Sequence, residues 1–239
     1  MKNNYIILNI NMSFGNTVEI IHPVLIREGN NNILVDCGFI GSLPLIEEEL
    51  SHHGIDPGEI AAVVLTHHDH DHMGAAAAFK QKYPQARFCA SALEEAYISA
   101  RVKPLRLAQA EELQEELPPE HRDFGRAFCE LLRRVEPVPV DVLLHDSDLL
   151  PGCGYRVVAT PGHTPGHISL YDEASGIIIA GDAMALENGE PVIANPQFTL
   201  DPEEASASMA KLLAMNANKI ICHHGGVYVP SPTAPVSPY

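Results

Sequence analysis

The sequence predicts an α/β fold in which two mixed sheets pack face to face with helices on their outer sides, an αββα sandwich. Two observations carry this expectation. Apolar runs of strand character alternate with segments of helical spacing, and the β-then-α order of the first half returns in the second. Several of the apolar runs end in polar clusters rich in His and Asp, so strand ends gather polar groups from distant parts of the chain.

From Tyr5 to Asp36 the chain reads as three β segments, YIILNIN, VEIIHPVLIRE and NILVD, punctuated by Ser13-Phe14-Gly15-Asn16 and Gly29-Asn30-Asn31-Asn32. An antiparallel meander is expected. Residues 43 to 53 place Leu45, Ile46 and Leu50 at helical spacing and stop at Gly54, in the manner of a C′ glycine, before an apolar strand from Ile60 to Leu65. That strand runs into Thr66-His67-His68-Asp69-His70-Asp71-His72-Met73-Gly74, a strand-to-helix loop, because an Ala-rich helical stretch (75 to 82) and a β segment (86 to 90) follow. Residues 91 to 135 are charged, Glu-rich and helix-patterned with breaks at Pro104 and Pro118-Pro119, and predict a helical insertion. Strands VDVLL, YRVVA, HISLY and GIIIA come next, then a helix from about Glu203 to Met215 and a strand from Lys219 to Cys222. One domain is expected over 1 to 229, with a Pro-rich extended tail at 230 to 239.

Composition narrows the function. A formal net charge of −16 argues against DNA, RNA or an anionic membrane as partner, since these require clustered Lys and Arg. The five cysteines, Cys37, Cys89, Cys129, Cys153 and Cys222, are odd in number and form no C-x-x-C pair, so free buried thiols are expected rather than a disulfide framework. Neither a signal peptide nor a membrane-length apolar run is evident, which predicts a cytoplasmic protein.

Of thirteen histidines, eight (His67, His68, His70, His72, His163, His167, His223, His224) fall in three short segments. Together with Ala180-Gly181-Asp182 they make four polar clusters at predicted strand ends. Imidazoles and carboxylates converging at one sheet edge form a donor set for first-row divalent metals, and six or seven such groups suffice for two ions.

Thr66 to Gly74 resembles the H-x-H-x-D-H signature of the metallo-β-lactamase superfamily, Thr160 to His167 its T-P-G-H-T-x-G-H segment, Asp182 its single Asp after a strand, and His224-Gly225 its closing H-G. The four occur in the family's order over about two-thirds of the chain. The resemblance implies two divalent metal ions: His67 and His163 in the first site, Asp71, His72 and His224 in the second, and Asp182 bridging. Asp69 stands where the family has its second His, and is the expected ligand there. The alternative frame, His68-x-His70, would put His72 where the family has Asp. Asp36, after the strand NILVD, is either a turn former or a group that orients a ligand. His167 and His223 are expected to support the ligands rather than join them, and His22, His52, His53, His121 and His145 receive no role.

The family's chemistry implies a hydroxide held between two metals attacking a polarised carbonyl or phosphoryl group, with Asp71 as acid/base candidate. The C-terminal glutathione-binding domain of glyoxalase II has no counterpart after Gly226, and the nuclease branch would need a basic surface. A small ester, lactone or thioester is left as substrate. Because a carboxylate at position 69 hardens the first site, the metal is zinc, or iron or manganese. A diiron redox protein, as in the flavodiiron branch with its acidic residue at this position, is the alternative, although the flavin domain of that branch has no room here. A regulatory or metal-storing protein is a third, weaker reading. Residues 91 to 135 sit where lactone hydrolases of the family carry a lid, and a homodimer contact would have the same pattern.

Overall fold

The computed structural model describes residues 4–15, 17–29 and 31–230. Five strands stand where three segments were expected: β1 Tyr5–Ile7, β2 Ile10–Phe14, β3 Thr17–Ile21, β4 Val24–Glu28 and β5 Asn31–Val35. The first two segments each turn a corner, at Leu8-Asn9 and at His22-Pro23. The corners lie opposite one another, with Leu8 N donating to Pro23 O at 2.9 Å. Proline lacks the N–H needed to continue a ladder, so β2 and β3 leave as a separate hairpin while β1 pairs with β4.

The chain continues through α1 Leu43–His52, β6 Ile60–Leu65, the short α2 His70–Met73, α3 Ala76–Lys82 and β7 Arg87–Ser91. The stretch expected to be a helical insertion holds α4 Glu95–Ile98, α5 Leu105–Glu116 and α6 Arg122–Arg133, between β7 and its parallel neighbour β8 Val142–Leu144. Then come β9 Arg156–Ala159, β10 Ile168–Asp172, β11 Ile177–Gly181, a small hairpin of β12 Ala185–Glu187 and β13 Glu190–Val192, α7 Pro202–Ala214, β14 Lys219–Cys222 and β15 Gly226–Tyr228. The three-residue strands β12, β13 and β15 are too short to leave a periodic signal and were not anticipated. Of the tail expected at 230 to 239, residues 231–239 lie outside the described residues.

Both main sheets are mixed. One has the order β1-β4-β5-β6-β7-β8 and the other β15-β14-β11-β10-β9. Alternation along the strands builds the layers. Ile33, Val35 and Val64 face inward to meet Val157, Leu170, Ile179 and Ile221 of the second sheet. Leu34, Val63 and Leu65 face outward and pack with Ile46 and Leu50 of α1 and Phe79 of α3. On the far side Ile178, Ala180 and Ile220 pack with Leu212 of α7. The result is the αββα order, its strands buried on both faces and therefore apolar throughout.

The five cysteines form no disulfide, and all but the half-buried Cys153 are buried. No helix among the described residues is long and apolar enough to cross a membrane.

Candidate metal centre

Strand direction explains why the four clusters meet. In the second sheet β9 and β11 each run antiparallel to β10, and β14 runs parallel to β11, so all three end at the same edge. Thr160–His167 follows β9, Asp182 follows β11 and His223-His224 follow β14. In the first sheet β5 and β6 are parallel, and Asp36 and His67 follow them directly. Backbone bonds knit the edges together: Ile168 N to Thr66 O at 3.2 Å, Cys37 N to His72 O at 2.6 Å and His22 N to His223 O at 2.9 Å.

Two donor groups result. His67, His163 and Asp182 form one, and Asp71, His72, His223 and His224 the other, each with its donor atoms within 4.8 Å of one another. Asp182 lies between them. Its Oδ1 is 3.2 Å from His72 Nε2 and 3.6 Å from His224 Nε2, while its Oδ2 is 3.5 Å from His163 Nε2.

Hydrogen bonds at the back of each ring aim the front nitrogen. The Thr66 hydroxyl, committed to the Asp36 carboxylate, accepts from His67 Nδ1 at 3.1 Å. His72 Nδ1 donates to Asp36 Oδ2 at 2.9 Å. The Thr199 hydroxyl, which donates to Ala194 O, accepts from His163 Nδ1 at 3.2 Å. In all three rings Nε2 is then the nitrogen that faces the centre. Asp36 sits at φ +63°, so it is both the turn residue and the carboxylate that orients His72.

His167 and His223 each hold a backbone group of a donor residue. His167 Nδ1 donates to Thr160, which continues through Ser169 to the Ala180 carbonyl, and its Nε2 accepts from Asp182 N at 2.9 Å. With both nitrogens engaged it holds the Asp182 backbone in place. Gly181, at φ +55°, lies so close that a Cβ would come within 2.7 Å of that same Nε2. His223 donates from Nε2 to Asp71 O at 3.1 Å and stacks on His72 with centroids 3.8 Å apart. Its Nδ1 is buried without a hydrogen-bond partner, and His223 counts in the second donor group.

The charges suit cations. Asp71 and Asp182 are held well below the usual carboxylate range: burial opposes this, but the surrounding histidines, His72 foremost, outweigh it. Asp69 is also held well below, with Arg106 as the main opposing charge to its burial. Burial keeps His67, His167 and His223 neutral. Burial opposes charging of His72 and His224, but the carboxylates, Asp182 foremost, outweigh it and hold His72 well above and His224 above the ordinary value, so positive charge is favoured between the carboxylates. His67 Nε2, His72 Nε2, Asp69 Oδ1 and Asp182 Oδ1 are buried without a hydrogen-bond partner. Four such atoms at one place would cost several kcal/mol if left unsatisfied, roughly 1–3 each, and a shared cation satisfies them together. The two donor groups fit metal ions.

The family model of the metallo-beta-lactamase superfamily matches residues 16–224. The chain belongs to that superfamily. A Bacillus subtilis (strain 168) protein named probable metallo-hydrolase YflN is 28% identical over 233 residues, covering 88% of this chain and 83% of its own. A hydroxyacylglutathione hydrolase of Aeromonas hydrophila is 25% identical over 203 residues, 84% of this chain and 59% of its own. A metallo-beta-lactamase family protein of Thermus thermophilus superposes with a TM-score of 0.73 at 22% identity, over 95% of this chain and 75% of that one, and has the same fold.

Within this superfamily site, Asp69 occupies a distinct position. Its Oδ2 is 3.1 Å from His163 Nε2 and 3.6 Å from His67 Nε2, beside the first group. The same oxygen accepts from Arg106 Nε at 2.9 Å and Nη2 at 2.6 Å. His68 and His70, the rings of the alternative frame, point elsewhere. His68 pairs with the buried Glu94 and lies against Tyr97, and His70 packs edge-on to Phe39 and Phe128. Glu94 also accepts from Thr164 Oγ1 at 2.8 Å and Gly166 N at 2.9 Å, tying two metal-site loops together. Arg106 and Glu94 escaped the sequence analysis, since each is one charged residue among many in the insertion. Asp69 offered the only hint, because a carboxylate in the place of a neutral ring calls for a counter-charge.

Over these groups opens a cavity of about 660 Å³. Phe14, Phe39, Phe124, Phe128 and Phe198, five of the chain's seven phenylalanines, line it together with Leu131 and Leu186. A larger groove of about 910 Å³ lies at the opposite strand ends, by Ile177 and Lys219, and none of the candidate metal donors lines it.

Proposed function

We propose that this superfamily member is a binuclear metal-dependent hydrolase of small carbonyl esters, lactones or thioesters with an apolar acyl group. The observation that carries the proposal is a bridging carboxylate, Asp182, on the floor of a cavity walled by five phenylalanines. The partial likeness to a hydroxyacylglutathione hydrolase supports acyl transfer to water.

His67, Asp69, His163 and Asp182 would hold the first ion, and Asp71, His72, His224 and Asp182 the second. When bound, such a pair supplies a Lewis acid for the substrate carbonyl and lowers the pKa of a shared water. Everything else falls to the chain. Asp36 and Thr66 fix His72 and His67, and His167 fixes Asp182 through its amide. Asp71, ionised and 3.1 Å from His224 Nε2, is placed to accept a proton or a hydrogen bond from the attacking water. The aromatic wall, with α6 contributing Phe124 and Phe128, takes up the acyl group and excludes bulk water, so α6 serves as a lid.

The redox alternative drew on the added negative charge of Asp69. Arg106 offsets that charge, and the aromatic cavity favours an organic substrate over small oxygen species.

Purified protein should contain about two equivalents of metal and turn over at least one of lactones, acyl esters and thioesters, with rates rising with acyl length. Two bound metals without turnover of any of the three would overturn the substrate class. Absence of metal after loading would overturn the assignment as a whole.

A further inference from the structure

Arg106 departs from the pattern of a substrate-binding arginine. It is buried, and its donors are consumed within the protein. Nε and Nη2 go to Asp69 Oδ2, Nη1 goes to Gln109 Oε1 and Phe198 O, and the guanidinium lies 5.3 Å from the centroid of the Phe198 ring. Nη2 also comes within 3.3 Å of His163 Nε2, the nitrogen aimed at the first donor group. The arginine therefore touches two of the groups that would hold the first ion. Around Asp71, His72 and His224 no Lys or Arg is bonded to a donor among the described residues.

We propose that Arg106 is a specificity-determining residue for metal: its fixed charge cancels that of Asp69, so the first site binds cations more weakly than the second and discriminates against harder ions such as manganese. This rests on the binuclear reading above. The physical reason is electrostatic. An ionised carboxylate favours hard cations, whereas a carboxylate whose charge is met by a bidentate guanidinium offers an oxygen with the net charge of a neutral ligand. A cation entering beside it must also approach a fixed positive charge in a region sheltered from solvent. Arginine suits this role because it stays charged under all conditions, and its planar fork, gripped at both ends, keeps it in place.

The test is metal binding, read without turnover. Stripped wild-type protein is titrated with zinc and separately with manganese in competition with a chromophoric chelator, and R106Q, D69N and D69N/R106Q are treated alike. Wild type is expected to show two unequal steps. R106Q should strengthen the weaker step about tenfold or more for manganese, by more than for zinc, and leave the tighter step unchanged. In the D69N background the same substitution should strengthen the weaker step for zinc and manganese alike, because it relieves repulsion without freeing a carboxylate. Because R106Q leaves Asp69 buried and unpaired, its metal-free form should melt lower than wild type and gain more from added metal. D69N/R106Q, with neither charge, keeps the comparison readable if R106Q folds poorly: its weaker step should match wild type in preferring zinc over manganese.

An R106Q titration with both steps within twofold of wild type, or a change in the tighter step alone, would overturn the role of Arg106 while leaving the binuclear site intact. A wild type that takes up no metal would remove the site itself, and the inference with it.

Discussion

Asp36 Oδ2 stands 2.9 Å from His72 Nδ1, and the same carboxylate accepts from Thr66 N at 2.9 Å, so one residue at the end of β5 holds the loop that follows β6. A metal-facing imidazole keeps its direction and basicity through such a back-side partner. Asp36→Ala should therefore weaken metal binding at the second site by about 10–100-fold and at the first site less, since His67 keeps Thr66 as its partner. Titration with a zinc-responsive chelator measures this. Equal weakening of both sites would indicate general loosening of the edge instead of a role through His72.

Most of the candidate donor set was legible because each of its residues sits within a few residues of a strand end. Parallel strands β9, β11 and β14 must then deliver their ends to one edge. The placement of Arg106 was not legible. The stretch LRLAQAEEL reads the same whether Arg106 faces solvent or turns inward, and only the crossing of α5 over the site decides it. The five-strand opening was missed for a related reason. Leu8, at the corner, is itself fully buried, so the apolar run continues through the turn and hides it. Convergence of five phenylalanines from four separate parts of the chain likewise has no local signature.

The two oxygens of Asp182 address the two donor groups separately. Asp182→Ala should reduce bound metal from about two equivalents to about one or fewer and abolish hydrolysis. Asp182→Asn keeps the shape and the backbone contact to His167 but removes the charge, and should fall between. Elemental analysis of the three proteins, purified side by side, decides it. Two metals retained in Asp182→Ala would rule out the bridging role.

The aromatic wall predicts a dependence on chain length. Phe124 is largely exposed and Phe128 lies beneath it, stacked at 6.5 Å between centroids, so on the proposed function both would cover a bound acyl chain. Replacing both by Ala should raise KM for long-chain esters or lactones about tenfold, the worth of roughly one or two buried side-chain contacts. Acetyl substrates should change little. A uniform change across chain lengths would mean that α6 acts on the fold or on an intermolecular contact and not on the acyl group.

The buried pair of Glu94 and His68 supplies a stability test with a defined pH window. Burial opposes ionisation of Glu94, but the charge and hydrogen bond of His68 together with Thr164 outweigh it and hold the carboxyl below its ordinary value. Its contribution is therefore complete above the unfolded carboxylate pKa of about 4.3 and is lost as pH falls through the lower folded value. Burial opposes charging of His68 too, yet Glu94 outweighs it and holds the ring above its ordinary value. That contribution is complete below about 6.5 and is lost as pH rises through the higher folded value. Glu94→Gln should lower stability by about 1–3 kcal/mol, with the largest difference from wild type between about pH 4.3 and 6.5 and a shrinking one on either side. Thermal unfolding of both proteins across this range, under matched metal conditions, gives the difference. A difference independent of pH would mean that the pairing with His68 contributes nothing and that Glu94 acts only as an acceptor for Thr164 and Gly166.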